Sequence, residues 1–129
     1  MKIAVIVVRV LMGLGFMVFG LNILHSFLPQ PPPPEGSLMA QFMAIMVPTH
    51  WMTLVGFFQL LGGILVLSGR FTVLGLLILA PVLVNILAFH IFLMDGGGIT
   101  PGLVFSAMEL FLLFAYRRQL APIFAAPSA

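Results

Sequence analysis

Residues 71–93 read FTVLGLLILAPVLVNILAFHIFL, an apolar run without a single Asp, Glu, Lys or Arg. A helix rises about 1.5 Å per residue and a hydrocarbon core is about 30 Å thick, so a run of ~20 residues is long enough to cross it. Three further stretches are similarly apolar, two of them with a single charged residue: Ile3–Leu28 with Arg9, His50–Leu67 with none, and Pro101–Tyr116 with Glu109. Together they predict an all-α integral membrane four-helix bundle, with helices over 3–28, 50–67, 71–93 and 101–118.

The charges orient this bundle. All five basic residues, Lys2, Arg9, Arg70, Arg117 and Arg118, lie where four crossings bring them to one face. Cytoplasmic loops carry an excess of Lys and Arg, so that face reads as the cytoplasm, with both termini inside. Glu35 and Asp95 then fall in the two outer loops. The run after Lys2 is interrupted by Arg9, continues to Leu28 and meets no clear small-residue cleavage site, so it reads as a retained helix rather than a signal peptide.

Composition agrees. The chain is 62% hydrophobic and 6% charged, where a soluble domain holds about 25% charged residues. Its 129 residues allow one small bundle. The basic residues form no cluster that could track a phosphate backbone, so nucleic acid is not an expected partner and membrane lipid is. The absence of cysteine excludes thiolate catalysis, disulfide exchange and thiolate metal ligation by this chain. Redox chemistry here needs a bound cofactor or a partner subunit.

Between the first two spans, prolines 31–34 favour an extended polyproline rod. Ser37 is placed to cap a short helix over Leu38–Val47, too short to span and therefore interfacial; Pro48 ends it and Thr49 can cap the next helix. This outer segment, 29–48, is long for a compact bundle, and such loops are often functional. Asp95-Gly96-Gly97-Gly98 makes a turn able to adopt positive φ, Pro101 suits a first helical turn, and residues 121–129 read as a flexible tail. A faint repeat relates Arg9 and Asn22-Ile23-Leu24-His25 to Arg70 and Asn85-Ile86-Leu87 with His90.

Polar residues inside the apolar runs are the candidate site. Counting along each helix places Gln59, Asn85 and Glu109 at one depth, about 12 Å below the outer surface, with Asn22 slightly shallower. Gln59, Asn85 and Glu109 are expected to converge inside the bundle in its outer half, with Asn22 bordering them. An ionised side chain at such a depth costs at least about 2.5 kcal/mol on insertion scales, which marks Glu109 as a functional candidate. The alternative is that Glu109, Gln59 and Asn85 are hydrogen-bonded glue between helices. His25, His50 and His90 come near the outer helix ends. Imidazoles there could exchange protons with a quinone or ligate haem iron or a metal, although their spacing matches no metal motif; solvated interfacial histidines are the plainer reading. Met39, Met43 and Met46 form one stripe on the short helix, read as packing. Arg9 is close enough to the cytoplasmic edge to snorkel toward it.

Arg9-x3-Gly13-x2-Phe16-x3-Gly20-x-Asn22, then Gly56-x2-Gln59-x2-Gly62-Gly63 and Gly69-Arg70, resemble the DoxX-like family of small bacterial membrane proteins. The family often has a basic residue where this chain has Ile23-Leu24-His25, and Glu where Gln59 stands; the proline-rich loop looks specific to this chain. The resemblance implies a four-helix bundle in a bacterial inner membrane. Founding relatives are subunits of a thiosulfate:quinone oxidoreductase, so it also implies a quinone-linked role inside a larger complex. Glu109, His90 and His25 are then the expected proton-exchanging residues, and Asn22, Gln59, Asn85 and His50 the expected contacts to a hydrophobic redox molecule. A structural or assembly subunit without its own chemistry, and a carrier for a small hydrophobic molecule, are the competing readings.

Overall fold

The computed structural model describes residues 1–28 and 32–125, all of whose regular structure is helical. The order is α1 (Lys2–His25), α2 (Leu38–Met46), α3 (Trp51–Ser68), α4 (Thr72–Met94), α5 (Thr100–Ala115) and α6 (Arg117–Phe124). Helices α1, α3 and α4 are long and apolar enough to cross a membrane; α5 is apolar but shorter.

Contacts between glycines set the packing. Lipid tails are as apolar as leucine, so helices in a membrane associate through close contact rather than through exclusion of water. A Cβ on Gly13 would lie 3.0 Å from the Gly63 carbonyl oxygen, and one on Gly20 would lie 2.7 Å from the Leu60 amide nitrogen. These two contacts run α1 antiparallel to α3 with their backbones nearly touching. Leu79 fills the notch at Gly62 and Val66 the notch at Gly75, which runs α4 antiparallel to α3. Gly102 rests against Ile86 and Leu87, and Phe105 against Gly15, which places α5 beside α4 and α1. The chain therefore runs up and down four times. Lys2, Arg70 and Arg117 share one end, called here the basic end; α2 and the α4–α5 turn share the other, the loop end.

The core is small: Met12, Phe16, Val66, Leu76, Leu79, Leu83 and Leu112. Large apolar side chains such as Leu11, Phe57, Val84, Phe92 and Leu110 are exposed around the bundle. A surface of that kind needs acyl chains rather than water as its solvent.

Several local expectations hold. The Ser37 hydroxyl accepts the Ala40 N–H at 3.1 Å, capping α2 as anticipated. Asp95, Gly96 and Gly98 all take positive φ in the α4–α5 turn. Others change. The first helix stops at His25 rather than Leu28, because Ser26 turns left-handed (φ 47°) and the Asn22 side chain accepts the Leu28 N–H at 2.8 Å. Thr49 does not cap α3: its hydroxyl donates backward to the Ile45 carbonyl at 2.6 Å, and His50 takes the cap position with φ 63°. The fourth span is not one helix to residue 118. It breaks at Tyr116, and α6 continues to Phe124 through part of the expected tail. Residues 126–129 of that tail, and residue 31 at the start of the expected proline rod, lie outside the described residues; 32–34 are not helical.

Candidate functional site

The loop end of the bundle is hollow. A cavity of about 820 Å³ lies among α1, α2, α3, α4 and α5 and is partly open. Binding pockets for small molecules span about 300–1,000 Å³, mostly apolar with a few placed polar groups. This one fits that description. Phe16, Phe19, Leu83, Ile86 and Phe105 form walls, and Met43 of α2 with Val47, the residue that ends that helix, covers it from the loop end. The Phe16 and Phe105 rings are tilted at 53° with centroids 4.8 Å apart, and Phe19 meets Phe105 edge-on at 5.9 Å.

Five polar side chains line the cavity: Asn22, Ser26, Thr53, Gln59 and His90. Asn22 belongs to the last turn of α1. Its Oδ1 is committed to the Leu28 N–H, so its side-chain N–H groups remain for another partner. Gln59 is buried on α3, in the glycine-rich segment between Gly56 and Gly62 that draws α1 and α4 close. His90 is fixed by a 2.8 Å hydrogen bond between Nδ1 and the Ile86 carbonyl one turn earlier. A carbonyl oxygen only accepts, so Nδ1 carries a proton, and Nε2 offers a lone pair whenever it is unprotonated. Gly98, folded back with φ 67°, approaches the His90 ring on the Nε2 side, 3.8 Å from where its Cβ would stand.

Glu109 lies elsewhere. It is four residues beyond Phe105 on α5, one turn toward the basic end, and only 4% exposed. It does not line the cavity. Among the described residues neither carboxyl oxygen has a hydrogen-bond partner, and the hydroxyl of Ser106, one turn earlier on the same face, has none either. Arg9 does not reach Glu109. Its guanidinium lies against the α3–α4 turn, where a Cβ on Gly69 would be 2.9 Å from Nη1.

Three expectations need correction. Asn85 sits on the exposed face of α4 and does not converge with Gln59 and Glu109; Leu79, Leu83, Ile86 and His90 are the residues that α4 turns inward. The faint repeat pairing Asn22 with Asn85 therefore does not extend to their surroundings, since one is buried and the other is not. His25 and His50 are exposed and line no part of the cavity, so only His90 of the three imidazoles is in it. Among the described residues no group of three or more His, Asp or Glu is placed to hold a metal ion.

The cavity also recruits residues that were not anticipated. Ser26 and Thr53 supply hydroxyls, and Phe16, Phe19 and Phe105 supply aromatic walls. Phe16, Phe19, Asn22, Ile23 and Ser26 follow one another at helical spacing on a single face of α1, and that periodicity was the available signal.

A helical bundle with apolar flanks and three helices long enough to cross a bilayer is a membrane protein, and this one holds a cavity among its helices. Residues 4–91 match the DoxX family, and the chain belongs to it. The matched segment carries Asn22, Gln59 and His90 and stops before α5, so Phe105, Ser106 and Glu109 lie beyond it. No curated protein and no solved structure matches the chain.

Proposed function

We propose that this chain is a subunit of a quinone-linked membrane oxidoreductase complex, and that its cavity takes the head of a quinone or a similar hydrophobic redox molecule. The cavity itself carries the reading: about 820 Å³, walled by aromatic and aliphatic side chains, with Asn22, Gln59 and His90 around it. A molecule dissolved in acyl chains needs apolar walls for its body and only a few donors and acceptors for its oxygens. The free amide N–H groups of Asn22 and Gln59 suit a carbonyl oxygen. The His90 Nε2 lone pair suits a hydroxyl proton. The resemblance to a family with quinone-reducing relatives supports the same reading.

Under this proposal the chain crosses a bacterial inner membrane four times, with the basic end in the cytoplasm and both termini there. The fourth crossing is α5, about 24 Å long by helical rise, with α6 lying at the interface beyond it. Glu109, one turn below the cavity wall, holds a proton for turnover rather than a bond to the ligand. Electrons arrive from a partner subunit that docks on the complex.

Trp51, the single tryptophan, directly precedes the cavity residues Met52 and Thr53 and serves as an internal reporter. Titration of the purified protein in nanodiscs with a short-tailed quinone should quench its fluorescence to saturation. Gln59→Leu removes an amide donor and should weaken binding roughly tenfold, since ten-fold corresponds to about 1.4 kcal/mol, the scale of one buried hydrogen bond. Linear, unsaturated quenching that is identical in both proteins would reject the site.

A further inference from the structure

A second concavity lies at the opposite end of the bundle, where α1 begins and α5 gives way to α6. It has a volume of about 360 Å³. Lys2, Tyr116, Arg117 and Gln119 supply its polar lining, and Val5, Phe114 and Ala115 its apolar lining. Arg117 is held in place: Nη1 donates to the Phe114 carbonyl at 2.9 Å, and the guanidinium lies over the Phe114 ring, 4.3 Å from its centroid. One of its five N–H donors is used there, which leaves the others for an anion. Helix α6 is amphipathic. Leu120 anchors it to the bundle at 6% exposure, while Ile123 and Phe124 are exposed. Among the described residues no acidic side chain neutralises this end: Glu35 and Asp95 are in the loops at the far end and Glu109 is buried in the core.

We propose that this groove binds the phosphate of an anionic phospholipid, with part of an acyl chain on its apolar lining. Arg117 offers the planar fork that matches phosphate oxygens and Lys2 adds a compact positive charge. Basic pockets between helices at a membrane edge are suited to such headgroups. The apolar side of the groove favours a lipid over free phosphate, because Val5 and Phe114 give nothing to an inorganic anion. A zwitterionic headgroup brings its own cation against a rim that is already positive. This inference does not depend on what the other cavity binds.

The test is native mass spectrometry of the intact chain from mixed micelles holding equal amounts of phosphatidylglycerol and phosphatidylcholine. The wild-type protein should retain phosphatidylglycerol over phosphatidylcholine by roughly tenfold, the order expected for two basic side chains near a lipid phosphate. The double variant Lys2→Gln/Arg117→Gln should bring that preference close to parity. Arg118→Gln removes the same kind of charge from outside the groove and should leave the preference intact. Lys2→Gln alone, at an exposed position, should lower it severalfold and covers the case in which the double variant does not fold. Millimolar inorganic phosphate should not displace the lipid. Equal retention of the two lipids by the wild-type chain, an Arg118→Gln loss as large as that of the groove variants, or displacement by phosphate would each overturn the proposal.

Discussion

The same helices build a closed half and a hollow half. Toward the basic end, Gly13 meets Gly63, Leu79 fills the notch at Gly62, and Met12, Val66, Leu76 and Leu112 are fully buried. Toward the loop end, the walls stand around an open volume. Both halves contain polar side chains, in very different circumstances. Asn22, Gln59 and His90 border space that water or a ligand can occupy. Among the described residues Glu109 and the Ser106 hydroxyl have no hydrogen-bond partner, and they line no part of that space. A polar group in hydrocarbon must be satisfied within the protein or by something it admits, and leaving it unmade costs about 1–3 kcal/mol. The hollow half keeps its polar residues cheaply, and the closed half keeps a carboxyl at a cost.

The largest effect should come from filling the glycine seam of the closed half. A Cβ at Gly63 would stand 2.8 Å from the Gly13 carbonyl oxygen and 2.9 Å from the Met17 amide nitrogen, both backbone atoms that cannot swing aside. Gly63→Leu should therefore cost at least the roughly 1–3 kcal/mol of an overpacked core and separate α1 from α3. Thermal unfolding in detergent and gel filtration read this directly; a variant with unchanged midpoint and elution would show that the closed half is not close-packed.

Glu109 should give an intermediate effect of the opposite sign. Glu109→Met keeps most of the volume and removes two buried, unpartnered oxygens. Stability should rise by about 1–3 kcal/mol, quinone binding should persist, and quinone-dependent turnover in the native complex should fall. A loss of stability would mean that the carboxyl is satisfied and that the two halves do not differ as described. The smallest effect belongs to Asn85→Leu. Its side chain faces outward from α4, so binding should be unchanged and stability should stay within about 0.5 kcal/mol. Loss of binding in this variant would move the site to the outer face of α4.

The division between halves also explains what could be read in advance. The spans, the Ser37 cap and the Asp95–Gly98 turn rest on hydrophobic length and local backbone chemistry, and both are written in the residues themselves. Depth along a helix could be counted too, which brought Gln59, Asn85 and Glu109 to one level. Rotation about the helix could not. Helix α4 is apolar all round, so no amphipathic stripe says which side turns inward, and Asn85 was assigned to the face that Leu83 and Ile86 occupy. The break at Tyr116 was hidden because Arg117-Arg118 reads as the end of a crossing and the small residues after Leu120 as a tail, whereas α6 runs from Arg117 to Phe124. The cavity itself depends on how five helices meet and has no local signature, apart from the spacing of Phe16, Phe19, Asn22 and Ser26 on α1.

The most direct measurement is photolabelling of the protein in nanodiscs with an azido-quinone, followed by mapping of the modified residues. Binding in the hollow half predicts label on Phe16, Phe19, Ile86 or Phe105, competed away by excess unlabelled quinone and diminished in Gln59→Leu. Label confined to outward-facing residues such as Val84, Phe92 and Leu110, and insensitive to competition, would show that quinone meets this protein only as a component of the surrounding lipid.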